Sequence, residues 1–190
     1  MKAVTYSKFG PPEVLQLNEV EKPVPKEHEV LIKIHAASVN AYDWRHVRAD
    51  PFLIRLMGGG LFRPKHTILG ADIAGTVISA GKDIQKFKAG DEVFGEVSYG
   101  GFAEYVCSGE SRIVKKPANI SFEEASAAPM AALTALQGLR DSGNIQPGQN
   151  VLVNGASGGV GSFAVQIAKY FDARVTATCS SEKMEMVRAI

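Results

Sequence analysis

From Met1 to about Lys116 apolar and polar positions alternate in short runs, cut by glycine, proline and polar turns. Glu29–Val39, Ala71–Gly81, Asp91–Val97 and Phe102–Ser108 read as strands. In the first of these Val30, Ile32 and Ile34 share one face, the period of two that a half-buried strand requires. The N-terminus starts as a strand pattern, and GPP at Gly10 and KAGD at Lys88 read as turns. These signals predict a small, curled, mostly antiparallel β domain over residues 1–120.

Near Ile120 the period changes. Ser121 and Glu124 have the spacing of a capping box, and helix-forming residues run from there to Arg140, with Pro129 dividing two helices. QPGQ at Gln146–Gln149 is a turn. Asn150–Gly155 then reads as a buried-type strand. The helix that follows carries Ala164, Ile167, Ala168 and Phe171 on one face. A second strand, Ala173–Cys179, and the start of another helix complete a β-α-β-α order over residues 121–190. That order opens a doubly wound parallel sheet, an α/β Rossmann domain.

Composition narrows the function classes. A formal charge of +1, from 21 basic and 20 acidic residues without blocks of one sign, gives no electrostatic reason for a nucleic-acid or anionic-membrane partner. No apolar run approaches the roughly 20 residues of a membrane span, and no signal-peptide pattern opens the sequence. Two cysteines, Cys107 and Cys179, cannot form a disulfide framework or a four-cysteine zinc site. A cytoplasmic location is the expectation.

The strongest chemical signal is Val151–Gly161, VLVNGASGGVG. Glycines at the start of a helix let backbone N–H groups approach a pyrophosphate, which the helix dipole also favours. Ala156-x-Gly158-x-x-Gly161 fits the dinucleotide spacing, with Ala at its first position and Gly155 ahead of it. Gly155, Ala156, Ser157, Gly158, Gly159, Val160 and Gly161 are therefore the candidate phosphate-binding residues. Strand before, helix and strand after is the context the fingerprint needs.

The longer run from Gly148 to Lys169, with Gln149, Leu152, Ala156, Ser157, Gly158, Gly159, Gly161 and Gln166, resembles the signature of the quinone oxidoreductase and zeta-crystallin group. That group is a zinc-independent branch of the medium-chain dehydrogenase/reductases. Ser38–Trp44, Ile68–Val77 and Ala89–Gly95 are similar to its N-terminal, GroES-like catalytic domain. The resemblance covers the whole chain, which corresponds to an N-terminal portion of such a protein. It implies a hydride-transferring oxidoreductase acting on a small quinone or enone, with a homo-oligomer possible. Two parallel strands with their helices bury little surface. Residues 1–190 by themselves are therefore expected not to turn over substrate. Residues 121–190 are expected to be mobile in isolation or held by a partner chain.

The resemblance also frames the site. Zinc alcohol dehydrogenases of the superfamily have Cys and His ligands where this chain has Asn40 and Ala71, neither able to supply a thiolate or imidazole. His28, His35, His46 and His66 show no ligand spacing, and His66, after Arg-Pro-Lys, is expected to be exposed. Without zinc, the remaining chemistry is hydride transfer from NADPH to an electrophilic carbon of a quinone or α,β-unsaturated carbonyl. Asn40 is the candidate donor to the developing oxyanion or holder of the nicotinamide ribose; the alternative is a turn-stabilising residue. Tyr42 is a candidate proton source, Asp43 a residue that fixes the loop, and Trp44 a wall of the nicotinamide pocket. Thr134 falls where the family has a hydroxyl near the nicotinamide; the alternative is a helix threonine bonded back to a carbonyl. Ser180, Ser181 and Lys183, after the second strand, suit the 2′-phosphate of NADP better than the ribose diol of NAD, with Glu182 against it. Ser181 as a helix cap is the alternative. Met57–Pro64, MGGGLFRP, reads as a glycine-hinged loop. The competing readings are a non-catalytic, crystallin-like structural or binding protein and a zinc-type alcohol dehydrogenase.

Overall fold

The computed structural model describes residues 1–56 and 60–190. Met57, Gly58 and Gly59 of the expected glycine-hinged loop lie outside the described residues. The chain forms two compact units, Met1–Pro129 and Met130–Ile190.

In the first unit β1 (Lys2–Thr5) pairs antiparallel with β2 (Gln16–Glu19). The main sheet holds β3 (Glu29–Ala37), β4 (Asp72–Ala80), β5 (Glu92–Glu96), β6 (Tyr105–Gly109) and β7 (Ile113–Lys115), in the order β6-β3-β4-β5-β7. Every pairing in it is antiparallel, as the alternating pattern predicts. The inward faces supply Val30, Ile32, Ile73, Val77 and Val93, all buried. Each such side chain contributes about 1.5–3 kcal/mol through burial. Register shifts beside Ile32 and Ile34 bend β3 against β4.

Between β3 and β4 lies α1 (Ala41–Arg48), a helix where the sequence reading had a loop. Asn40 is its N-cap residue, and the Asp43 carboxylate accepts the Asn40 backbone N–H at 2.7 Å. Asn40-x-x-Asp43 is a cap signal, but the stretch is too short for a period of 3.6 to announce itself.

The helix α2 (Phe122–Ala127) opens on the expected capping box. The Ser121 N–H donates to Glu124 Oε2 at 2.8 Å, and the Glu124 N–H donates to Ser121 Oγ at 3.1 Å. It packs against β3, β4 and β5. These contacts fall within the first unit, Met1–Pro129.

The second unit takes up α3 (Pro129–Leu136) from Met130 onward, followed by a π-helical turn at Gln137–Ser142. Next come β8 (Asn150–Asn154), α4 (Gly159–Tyr170) and β9 (Arg174–Thr178). A 3-10 turn at Ser181–Lys183 and α5 (Met184–Arg188) complete it. β8 and β9 pair in parallel, from Asn150 opposite Arg174 to Asn154 opposite Thr178, and α4 makes the crossover. Ala135, Val153, Ala156, Ala164, Val165 and Val187 form its core. The expected buried-type strand is only half so. Val153 is in the core, but Leu152, on the other face of the strand, is 67% exposed.

Candidate functional site

At the end of β8 the chain turns at Gly155, whose φ of 76° lies in the left-handed region. The turn is tied to the end of β9. Thr178 Oγ1 accepts the Gly155 N–H at 3.2 Å and donates to Asn154 Oδ1 at 2.6 Å. The Thr178 carbonyl accepts the Ala156 N–H at 2.9 Å. Ala156, the alanine at the first fingerprint position, is fully buried. A Cβ on Gly161 would overlap the Gly155 carbonyl and lie 2.8 Å from the Ala156 Cα. Glycine there lets the helix approach the strand-to-helix turn. Gly158 is the N-cap residue of α4 and supplies no side-chain cap. The first N–H groups of a helix lack partners within it, so this end is open to an anion.

Gly155, Gly158, Val160 and Gly161 line an open cleft of about 450 Å³ together with Thr134 and Leu139. Thr134 therefore reaches the cleft, but its hydroxyl donates to the Met130 carbonyl at 2.6 Å, the back-bonded arrangement. Ser157 is half-buried in the turn and Gly159 begins the helix. Beyond β9, Ser180, Ser181 and Lys183 are all exposed. Ser180 stands at the N-cap of the short 3-10 turn without a side-chain bond to it. Neither hydroxyl is spent on capping this turn.

In the first unit the Asn40 amide nitrogen donates to Ser38 Oγ and to Asp72 Oδ2, each at 3.1 Å. A carboxylate only accepts, so the amide is oriented by Asp72, and both its hydrogens are used within the protein. Asn40 thereby ties the end of β3 to the start of β4. Asp43 is 2% exposed. Besides the Asn40 N–H, it accepts the Gly70 N–H at 3.0 Å through Oδ1. Burial raises its pKa above the ordinary carboxylate value, with the Asn40 and Gly70 hydrogen bonds acting the other way.

Around α1 the side chains divide. Trp44, 45% exposed, lines an apolar cavity of about 240 Å³ with Val47, Leu69 and Phe102. Tyr42 instead joins three further rings. Its ring lies 4.0 Å from His46 and 5.8 Å from Tyr99 between centroids. His66 stacks on Tyr99 at 3.7 Å with an interplanar angle of 9°. His66 is thus half-buried rather than exposed, because Tyr99 covers one face of its ring. Sequence reading left Tyr99 out altogether; lying in a glycine-flanked loop, it carries no spacing signal.

Among the described residues no group of three or more His, Cys, Asp or Glu could hold a metal ion. Ala71, at the superfamily's zinc-histidine position, is fully buried and has no donor atom.

Residues 26–118 match the family model described as the alcohol dehydrogenase GroES-like domain. The chain is 39% identical over 199 residues to a chloroplastic quinone-oxidoreductase homolog of Spinacia oleracea, covering 100% of this chain and 59% of that protein. It is 34% identical over 210 residues to a mitochondrial NAD(P)H oxidoreductase of Bos taurus, covering 100% of this chain and 52% of that one. The quinone oxidoreductase structure from Coxiella burnetii superimposes with a TM-score of 0.89 at 35% identity, over 100% of this chain and 59% of that one. The chain thus spans between half and three-fifths of the length of these proteins.

The organelle names of these relatives overturn the cytoplasmic expectation and point to an organelle instead. A low cysteine count argues against a disulfide scaffold, but it does not tell one reducing compartment from another.

Proposed function

Since the chain belongs to the quinone-oxidoreductase type of medium-chain dehydrogenase/reductase and matches the N-terminal portion of its members, we propose that the protein reduces a quinone or an α,β-unsaturated carbonyl with NADPH, without zinc. The observation that carries this reading is the turn from Gly155 to Gly161. Its uncapped helix start and its glycine-only approach of α4 to Ala156 fit a dinucleotide pyrophosphate. Bound there, the nicotinamide cofactor would supply a hydride.

The chain's own residues supply the rest. Gly158, Gly159, Val160 and Gly161 offer backbone N–H groups to the pyrophosphate, with Ser157 beside them. Thr134 shapes the wall of the cleft. Ser180, Ser181 and Lys183 supply two hydroxyl donors and a cation for a 2′-phosphate. Asn40 and Asp43 hold the start of α1 to Asp72 and Gly70, which keeps the Tyr42 segment in one position. No acceptable zinc ligand stands at Asn40 or Ala71. The substrate must therefore already carry its electrophilic carbon, as quinones and enones do.

Titration of the intact protein with NADPH and NADH, followed by quinone-dependent oxidation of each, tests the reading. NADPH should bind more tightly and be oxidised on adding quinone. Lys183→Ala should raise the KM for NADPH about tenfold, within what one charged phosphate contact contributes, and leave NADH nearly unchanged. Equal loss for both cofactors removes the NADP assignment. A protein that binds neither is the crystallin-like alternative.

A further inference from the structure

Two N–H groups of the glycine turn are already held within the protein, both by Thr178. Its hydroxyl accepts the Gly155 N–H at 3.2 Å, and its carbonyl accepts the Ala156 N–H at 2.9 Å. The same hydroxyl donates to Asn154 Oδ1 at 2.6 Å. We propose that Thr178 is a positioning residue of the dinucleotide turn, and that Asn154, which it orients, donates its amide to an oxygen of the cofactor pyrophosphate. The inference rests on the dinucleotide-binding reading above.

Hydrogen-bond chemistry fixes which end of the Asn154 amide meets Thr178. A hydroxyl has one hydrogen to give and two lone pairs. The Gly155 N–H can only donate, so it takes one lone pair of Thr178 Oγ1. With the amide carbonyl opposite, the Thr178 hydrogen finds its acceptor. With the amide nitrogen there instead, the hydroxyl would accept twice and leave its own hydrogen unplaced. The oxygen of Asn154 therefore faces Thr178, and the nitrogen lies on the other branch of the amide. Among the described residues nothing accepts a hydrogen bond from that nitrogen.

The placement suits a ligand. Asn154 and Thr178 are the last pair in the parallel ladder of β8 and β9. Both are exposed, and Asn154 lines the cleft with Gly155, Gly158 and Gly161. In open α/β sheets ligands bind outside the carboxyl ends of the strands, which is where this pair stands. A bond between two exposed side chains adds little to stability, because water competes for both groups. The ladder and the Thr178 carbonyl already tie the strand ends together. What the hydroxyl adds is direction. It fixes the Asn154 amide before a ligand arrives, so less side-chain freedom is lost on binding. It also holds the peptide of Gly155, which at a φ of 76° has no side chain of its own to do so. The Asn154 amide then replaces, beside the turn, the donors that Thr178 has taken. NADPH and NADH share the pyrophosphate, so this pair serves both, unlike Lys183.

Calorimetric dinucleotide titration of the intact protein, with NMR amide exchange of the free protein, tests this. Thr178→Val keeps the shape and the strand preference of the residue and removes the hydroxyl. It should weaken NADPH and NADH alike by about tenfold, the scale of one hydrogen bond to a charged group. It should also speed exchange of the Gly155 amide and leave the melting temperature near wild type. Thr178→Ser keeps the hydroxyl and should restore both affinity and protection. Asn154→Ala should weaken both cofactors by a similar factor with Gly155 exchange unchanged. The double variant should lose less than the product of the single losses, because one residue acts through the other. Losses that multiply would overturn the orienting contact, and a loss confined to NADPH would overturn the pyrophosphate assignment. If wild type binds dinucleotide and each single variant stays within about twofold of it, the proposal fails and the dinucleotide reading survives. If wild type binds neither cofactor, both fail.

Discussion

Asp43 shows how one side chain can serve a site without touching substrate. Its two oxygens take the N–H groups of Asn40 and Gly70, which brings the N-terminus of α1 to the residue just before Ala71 and Asp72. Asparagine has one acceptor oxygen, so Asp43→Asn would leave one of these N–H groups facing an amide nitrogen. The expected cost is about 1–3 kcal/mol, the range for an unsatisfied buried donor. The pH dependence has a definite sign. Because the folded-state pKa of Asp43 lies above 3.8, the folded protein keeps the proton when the unfolded chain has lost it. Stability contributed by Asp43 therefore falls as pH rises from about 3.8 through the folded value. Thermal unfolding of wild type and Asp43→Asn across that window should show the wild-type slope reduced in the variant. Parallel curves would mean that Asp43 titrates alike in both states.

At the scale of elements, the second unit depends on how closely α4 meets β8. Gly161 has no room for a Cβ against Gly155 and Ala156. Ala156 is part of the core with Val153, Ala164 and Val165, so a shift of the helix disturbs packing and phosphate turn together. Gly161→Ala should destabilise by roughly 1–3 kcal/mol, the range for overpacking, and weaken dinucleotide binding. Gly158→Ala, whose Cβ would meet the Gly155 carbonyl oxygen at 3.5 Å in ordinary contact, should cost less stability. Calorimetry with a dinucleotide titration of each variant compares the two; equal losses would remove the close-approach argument. Strands β3 to β6 and the helices α2 and α4 were legible because each has a period or a cap written in contiguous residues. Helix α1 was not, since eight residues give barely two turns and its capping aspartate looked like loop chemistry.

For the whole molecule the open chemical question is metal. The zinc positions of the superfamily hold Asn40, whose amide is tied to Asp72 and Ser38, and Ala71, which is buried without a donor atom. Elemental analysis of protein purified without chelator should give well below one zinc per chain. Stoichiometric zinc whose removal abolishes activity would require ligands other than these two positions and would reopen the alcohol-dehydrogenase reading. The same scale carries the correction on location. Composition speaks for the average chemistry of a compartment, while the relatives' names point to organelles.

The sequence by itself determined what is local: the alternation that becomes an antiparallel sheet, the Ser121–Glu124 cap, the glycine turn between β8 and α4, and the absence of zinc-ligand residue types at positions 40 and 71. These follow from periodicity, dihedral freedom and donor chemistry, which contiguous residues carry. Only the tertiary structure decided which groups meet. Asn40 turned out to spend its amide on Asp72, 32 residues away. Asp43 reached Gly70, and His66 stacked on Tyr99. α2 joined the first unit because its packing partners, β3, β4 and β5, lie earlier in the chain. Such contacts depend on how the sheet folds distant segments together, and no spacing along the chain records that distance.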